Sequence, residues 1–224
     1  MSFRHTQKNW PDHANRLTTA PTVEPVTPDE LRTQLRETSA GLPDVEANDL
    51  IETAREWFEE QLGVALIQQS WTLTMDDWPI GETPWWDGVV QGHINSLDQN
   101  SAIVAIGLPR WPLSSVTSVT TYADDDTSTA VVVADTFNID TASIKGRMAL
   151  KNGQSWPVAS RGVNAIAIEY VAGHGATAAY VPAPMKRAVK QIAAGLYTHR
   201  GDGCEAVADG VTMALIQSYK LVRV

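Results

Sequence analysis

The sequence predicts an α+β protein, a helical-bundle core carrying an inserted antiparallel β barrel or sandwich. Three observations carry that expectation. Apolar residues recur at helical spacing near both ends of the chain, the period becomes alternating from Val64, and it returns to helical after Pro182-Ala183-Pro184. The domains expected are an extended N-terminal arm over 1–26, a helical core over 27–63 plus 182–224, and a β-rich insertion over 64–181.

The arm holds Pro11, Pro21 and Pro25 among scattered polar residues, with no periodicity. Alone it lacks the apolar content to fold, and is most easily ordered by lying on a neighbouring chain. Thr27-Pro28-Asp29-Glu30 is a helix start, with Thr27 as N-cap, Pro28 at the first position and Glu30 completing a capping box. Leu31 and Leu35 give that helix, near 28–39, one apolar face before Gly41-Leu42-Pro43 stops it. A second helix, 46–62, places Ala47, Leu50, Ile51, Ala54, Phe58 and Leu62 on one stripe, with Gly63 as C-cap. Its other face reads as acidic: Glu46, Asp49, Glu52, Glu56, Glu59 and Glu60 against the single base Arg55.

Alternating segments then predict strands at Trp71–Met75, Ile103–Leu108, Val116–Tyr122, Ala130–Val133, Phe137–Asp140, Arg147–Leu150 and Ala165–Ala172. Pro79/Gly81, Asp98–Asn100, Asp124–Asp126 and Lys151-Asn152-Gly153 supply turn chemistry between them, and no helix is expected there. A helix near 184–199 follows, with Met185, Ala188, Val189, Ile192, Leu196 and Tyr197 on one face and Lys186, Arg187 and Lys190 opposite. Gly201-Asp202-Gly203 breaks it before a last helix, 207–219, and the tail Tyr219-Lys220-Leu221-Val222-Arg223-Val224. Helices this short are marginal alone, so the flanking pairs are expected to pack on one another.

The chain has 224 residues, 43% of them hydrophobic and 19% charged, as in an ordinary globular protein. Its longest apolar run, near Ala102–Leu108, falls far short of the ~20 residues of a membrane span. The opening residues MSFRHTQKNWPD lack the apolar core of a secretory signal. One cysteine, Cys204, excludes an intramolecular disulfide framework. These features place the protein in a cytosol or in a particle assembled there. Net charge is −9, unevenly spread. Residues 1–144 hold 7 basic and 22 acidic side chains, a balance of −15, and residues 145–224 hold 10 and 4, a balance of +6. An acidic total argues against a free-standing nucleic-acid binder. An acidic front and a basic back suit head-to-side contact between identical subunits, and equally two solvated halves.

Chemistry-bearing patterns are weak. His5, His13, His93, His174 and His199 show no metal-ligand spacing, and Cys204 has no cue for a reactive thiolate. Gly173-His174-Gly175 reads as a turn leaving the last strand, and Asp124-Asp125-Asp126 as a solvated hairpin turn. Trp71, Trp78, Trp85 and Trp86 suit either a core or interface, or a platform for sugar rings. No nucleophile–base–orienter set assembles, so no catalytic residue, cofactor or metal site is expected.

From about Thr27 to Val224 the order of motifs resembles the head–tail connector (adaptor) proteins of tailed bacteriophages and gene transfer agents. The residues that carry it are Leu108-Pro109-Arg110 with Pro112-Leu113, Val116/Val119 and Tyr122, followed by Phe137-Asn138-Ile139-Asp140, Gly146-Arg147-Met148 and Trp156-Pro157. Asn164-Ala165-Ile166 running to Tyr170, Ala172-Gly173-His174-Gly175, Val181–Lys186 and Leu196–Arg200 complete the series. Trp111 is bulkier than that pattern leads one to expect.

The resemblance implies a non-enzymatic ring, usually twelve-fold, beneath the portal of a DNA-filled head, in the neck of a particle assembled in the bacterial cytoplasm. Implied partners are the portal protein, the next neck or tail-completion protein, further copies of the chain, and passing double-stranded DNA touched only passively. Within that frame the tail Tyr219, Lys220, Leu221, Val222, Arg223 and Val224 is the candidate portal-binding element, and Glu52, Glu56 and Glu59 are candidates for the DNA-channel lining. Two readings from other classes stay open: a glycan-binding β module on a helical stalk, favoured by the tryptophans, and a small hydrolase with a dispersed site.

Overall fold

The computed structural model describes residues 13–79 and 105–199. The elements in chain order are β1 (His13–Thr19), α1 (Pro28–Leu35), α2 (Asp44–Leu62), β2 (Gln69–Met75), β3 (Ala105–Gly107) and β4 (Leu113–Tyr122). They continue with β5 (Ser128–Val131), a single helical turn α3 (Val133–Thr136), β6 (Phe137–Asp140), β7 (Arg147–Leu150), β8 (Ile166–Ala172), a 3-10 turn (Ala178–Tyr180) and α4 (Ala183–Thr198). The protein is α+β, as expected. The helix expected over 207–219 lies outside the described residues. Part of the expected arm, His13–Thr19, is a strand.

These elements divide into two compact units, one helical and one built of strands. The helical unit takes residues 19–69, 110–114 and 172–199 of the described chain. Its first helix is fixed locally: Thr27 Oγ1 accepts from the Glu30 N–H at 3.3 Å, and Glu30 Oε2 accepts from the Thr27 N–H at 3.0 Å. α1 ends at Leu35 rather than near 39, because Arg36 takes a left-handed backbone (φ 60) and caps the helix. The buried Arg32 then holds the following turn by donating from Nε to the Leu42 carbonyl at 2.9 Å, with Asp29 and Asp44 as further partners. α2 ends where Gly63 (φ 68) reverses the chain.

The core of this unit joins Leu31, Ile51, Ala54, Phe58 and Leu62 to Met185, Val189 and Ile192 of α4. It also takes in residues beyond the helices: Val64, Leu66, Ile67, Trp111 and Val181. Trp111 is 5% exposed, donates from Nε1 to the Leu62 carbonyl at 3.1 Å, and meets His174 edge-on at 6.3 Å between ring centres. Three segments close around it. The Ala65 N–H donates to the Trp111 carbonyl, the Gly173 N–H to Pro112, and the Gln68 N–H to Gly175. Gly173 (φ +141) is required there, since a Cβ would lie 2.5 Å from the Gln68 nitrogen.

The β unit takes residues 13–18, 70–79, 105–109 and 115–171 of the described chain. Its strands form a five-stranded sheet in the order β1-β2-β8-β4-β5 and a three-stranded sheet in the order β3-β7-β6. β2 and β8 alternate buried and partly exposed residues along their length, the pattern of a sheet with one covered face. In the small sheet, Ile106 and Ile139 both register with Met148 of the central strand. Among the described residues both sheets are open, with β1 and β5 as unjoined edges of the larger, so the expected barrel is not closed.

Turns in this unit are tied by carboxylates. Asp125 Oδ1 accepts from the Thr127 N–H in the β4–β5 hairpin, which fits the solvated turn expected of Asp124–Asp126. Asp140 accepts from the Ser143 hydroxyl at 2.7 Å, from the Ser143 N–H at 3.1 Å and from Arg147 Nε at 2.9 Å. Those donors favour its charged form and hold its pKa down at about 2.

Replacing Trp111 removes both a large core side chain and the closure of three segments. W111A should destabilise the full chain by about 3–5 kcal/mol, the usual range for a buried aromatic reduced to alanine. Urea unfolding of wild type and variant measures it.

Candidate functional site

Among the described residues, no three His, Cys, Asp or Glu side chains group as they would around a metal ion. The chemistry of the helical unit is instead carried by charge, and it starts from Arg55. This residue sits on α2 at the edge of the apolar stripe, with its side chain only 3% exposed. Its Nε donates to Glu24 Oε2 at 2.9 Å and its Nη1 to Glu59 Oε2 at 3.0 Å. Glu52 and Glu56 approach its other nitrogen at 3.7 Å each. Four carboxylates thus surround one guanidinium.

Glu59 is the buried member of the set. Besides Arg55, its Oε1 accepts from the Leu66 N–H at 2.7 Å and from Gln69 Nε2 at 2.9 Å. Burial nevertheless dominates and pushes its carboxyl above the usual range, with these three donors opposing the shift. Glu24 is raised for the same reason, burial outweighing Arg55. Burial alone would lower the Arg55 pKa, but Glu59 and Glu24 more than offset that and raise it.

This arrangement corrects one expectation. Glu59 belongs to the interior of the helical unit, so it cannot line a channel: its carboxylate is committed to Leu66, Gln69 and Arg55. Glu52 and Glu56 stay about three-fifths exposed and lie side by side over Arg55. Glu60 is also exposed and pairs with Arg110, whose Nη1 donates to the Glu59 carbonyl at 2.8 Å. Arg55 itself was legible only as the lone base on an acidic face. Its burial follows from its position between the apolar stripe and Glu59, one helical turn on.

α4 carries the opposite sign. It has no acidic residue, and Lys186, Arg187 and Lys190 lie away from the buried Met185, Ala188, Val189, Ile192 and Ala193. The tail residues Tyr219–Val224 lie outside the described residues, as do Trp85, Trp86 and Cys204. Trp71 and Trp78 are buried, so neither offers a ring face to a sugar. In the β unit Trp78 stacks on Trp156 at 4.7 Å, packs near Phe137 and donates from Nε1 to the Pro157 carbonyl at 2.8 Å. His174 follows the last strand, as its glycine neighbours suggested, and burial holds its pKa below the ordinary value.

Comparison with known proteins follows from this fold. No family model matches the sequence, and no curated protein matches it. Solved structures do. A chain of the virion of a native gene transfer agent (GTA) particle aligns with TM-score 0.71 and 24% identity, over 94% of this chain and 96% of that one. A chain from the neck of an empty GTA particle computed with C6 symmetry aligns with TM-score 0.71 and 23% identity, over 94% and 97%. One from the neck of a native GTA particle computed with C12 symmetry gives 0.65 and 23%, over 93% and 97%. The chain has the fold of these particle components along nearly its whole length.

Two outcomes follow from the Arg55 cluster. R55A leaves Glu59 buried without its cation and should cost about 3–5 kcal/mol of unfolding free energy. The raised Glu59 pKa also fixes a sign. Its contribution to stability is fully present below its unfolded value of 4.5 and is lost as pH rises through the folded value. E59Q does not titrate, so its unfolding free energy minus that of wild type should climb as pH rises above 4.5. Denaturant unfolding at several pH values measures the slope.

Proposed function

We propose that this chain is a structural component of the neck of a phage-like particle, a head–tail connector that assembles as a ring beneath the portal. The observation that carries the reading is the fold shared with chains of GTA virion and neck structures, over at least 93% of this chain and 96% of theirs. The symmetry of those necks, C6 and C12, supports a ring of copies. The ring extends the DNA channel and presents a surface to the next neck component, with no catalytic step.

Charge is consistent with that role. At −9 per copy, a ring repels duplex DNA overall and avoids the phosphate contacts that would retard its passage. In such a ring Glu52 and Glu56 are open to two uses, the channel wall or the seam between subunits, and the cations of α4, which enter no ion pair among the described residues, favour the seam. Portal docking is assigned to the tail. Tyr219, Leu221, Val222 and Val224 are costly to leave in water, and Lys220 and Arg223 suit acidic groups or DNA. Ring valency would multiply a weak affinity per tail.

Native mass spectrometry and negative-stain imaging of the full chain, alone and with portal, test the reading. Rings that stack on portal are expected; a monomer that ignores portal at all concentrations overturns it. Deleting Lys220–Val224 should leave thermal melting almost unchanged and abolish portal co-sedimentation. A lowered melt with portal binding intact would return the tail to the core.

A further inference from the structure

The helical unit presents two stripes of opposite charge that do not neutralise each other. On α2, Val45, Asp49, Glu52 and Glu56 recur at four- and three-residue intervals, all exposed. This line runs opposite the buried Ala47, Ile51, Ala54 and Phe58. Val45 is 83% exposed, a large apolar side chain at one end of an acidic line. The single cation of α2 cannot balance the line, because Arg55 is buried and already shared with Glu24 and Glu59.

On α4, Lys186, Arg187 and Lys190 occupy the side away from the core that α4 shares with α2. Among the described residues none of the three enters an ion pair, and no ion pair joins α4 to α2. Both apolar faces turn inward, so both charged faces turn outward and apart. Within the described residues one copy does not close this pair on itself. Successive copies, related head to side, can.

We infer that the acidic stripe of α2, anchored by Val45, docks on the Lys186–Arg187–Lys190 face of α4 in a second copy of this chain. Three acids meet three bases, the acids over about two helical turns and the bases over about one: Asp49 to Glu56 spans roughly 10 Å and Lys186 to Lys190 roughly 6 Å. The contact joins unlike surfaces, so it propagates and closes as a ring when the rotation per copy allows. This rests on the ring reading above and names its seam. Opposite charge there orients the encounter and rejects like-to-like pairing.

The test uses the full chain and charge reversal. D49K/E52K/E56K and K186E/R187E/K190E should each weaken assembly at least tenfold by analytical ultracentrifugation, while an equimolar mixture of the two variants forms mixed assemblies. Wild-type assembly should weaken with added salt. If K186E/R187E/K190E loses its helical circular dichroism, K186Q/R187Q/K190Q, which only neutralises, is the variant to read. Assembly of either charge-reversed protein as tight as wild type overturns the seam. So does assembly retained by D49K/E52K/E56K together with newly gained, salt-sensitive duplex DNA binding, which would put the stripe on the channel wall. A wild type that never assembles defeats the ring reading itself, and is told apart by the absence of any oligomer to perturb.

Discussion

The carboxylate of Glu59 is the point on which the helical unit turns. Three donors from different parts of the chain converge on it: Arg55 from its own helix, the Leu66 N–H and the Gln69 side chain. Leu66 and Ile67 are buried in the core, so this carboxylate anchors the stretch that leads from α2 toward β2. Burial makes the arrangement asymmetric. An ionised carboxylate there is tolerable only while its donors stay in place, and losing any one leaves a charge that water cannot reach.

That constraint reaches the surface. Because Arg55 is drawn inward by Glu59 and Glu24, the charged residues left on the exposed face of α2 are all acids. α4 shows the inverse, cations without a local carboxylate. A monomer with this distribution has two unsatisfied, opposed fields, each worth little as isolated exposed pairs in water and more when repeated around a closed assembly. The interior choice of one ion cluster thereby shapes what the outside can recognise.

The β unit follows different physics. Its turns are held by short-range carboxylate hydrogen bonds at Asp125 and Asp140, and Trp71 and Trp78 are used for packing. Trp78 is buried, stacks on Trp156 and has its N–H satisfied by Pro157, an arrangement that fills space. No three of its described His, Cys, Asp or Glu side chains group as they would around a metal ion.

Local chemistry settled much of this protein in advance. The capping box at Thr27–Glu30, the stripe of α2 with Gly63 behind it, the alternation of β4, β6, β7 and β8 and the stripe of α4 all depend on neighbours a few residues apart. Periodicity therefore reported them. The tertiary structure alone decided which polar residues leave the surface and which distant segments complete a core. Glu59 reads as one more acid on a polar face until Leu66 and Gln69 fold back onto it. Trp111 reads as an oversized turn residue until Leu62, His174 and the segments around them close over it. Strands pointing alternately in and out look the same in an open sheet and in a closed barrel, because closure depends on how the edges meet and not on the period. Burial and edge pairing are properties of contacts far apart in the chain, and no local pattern records them.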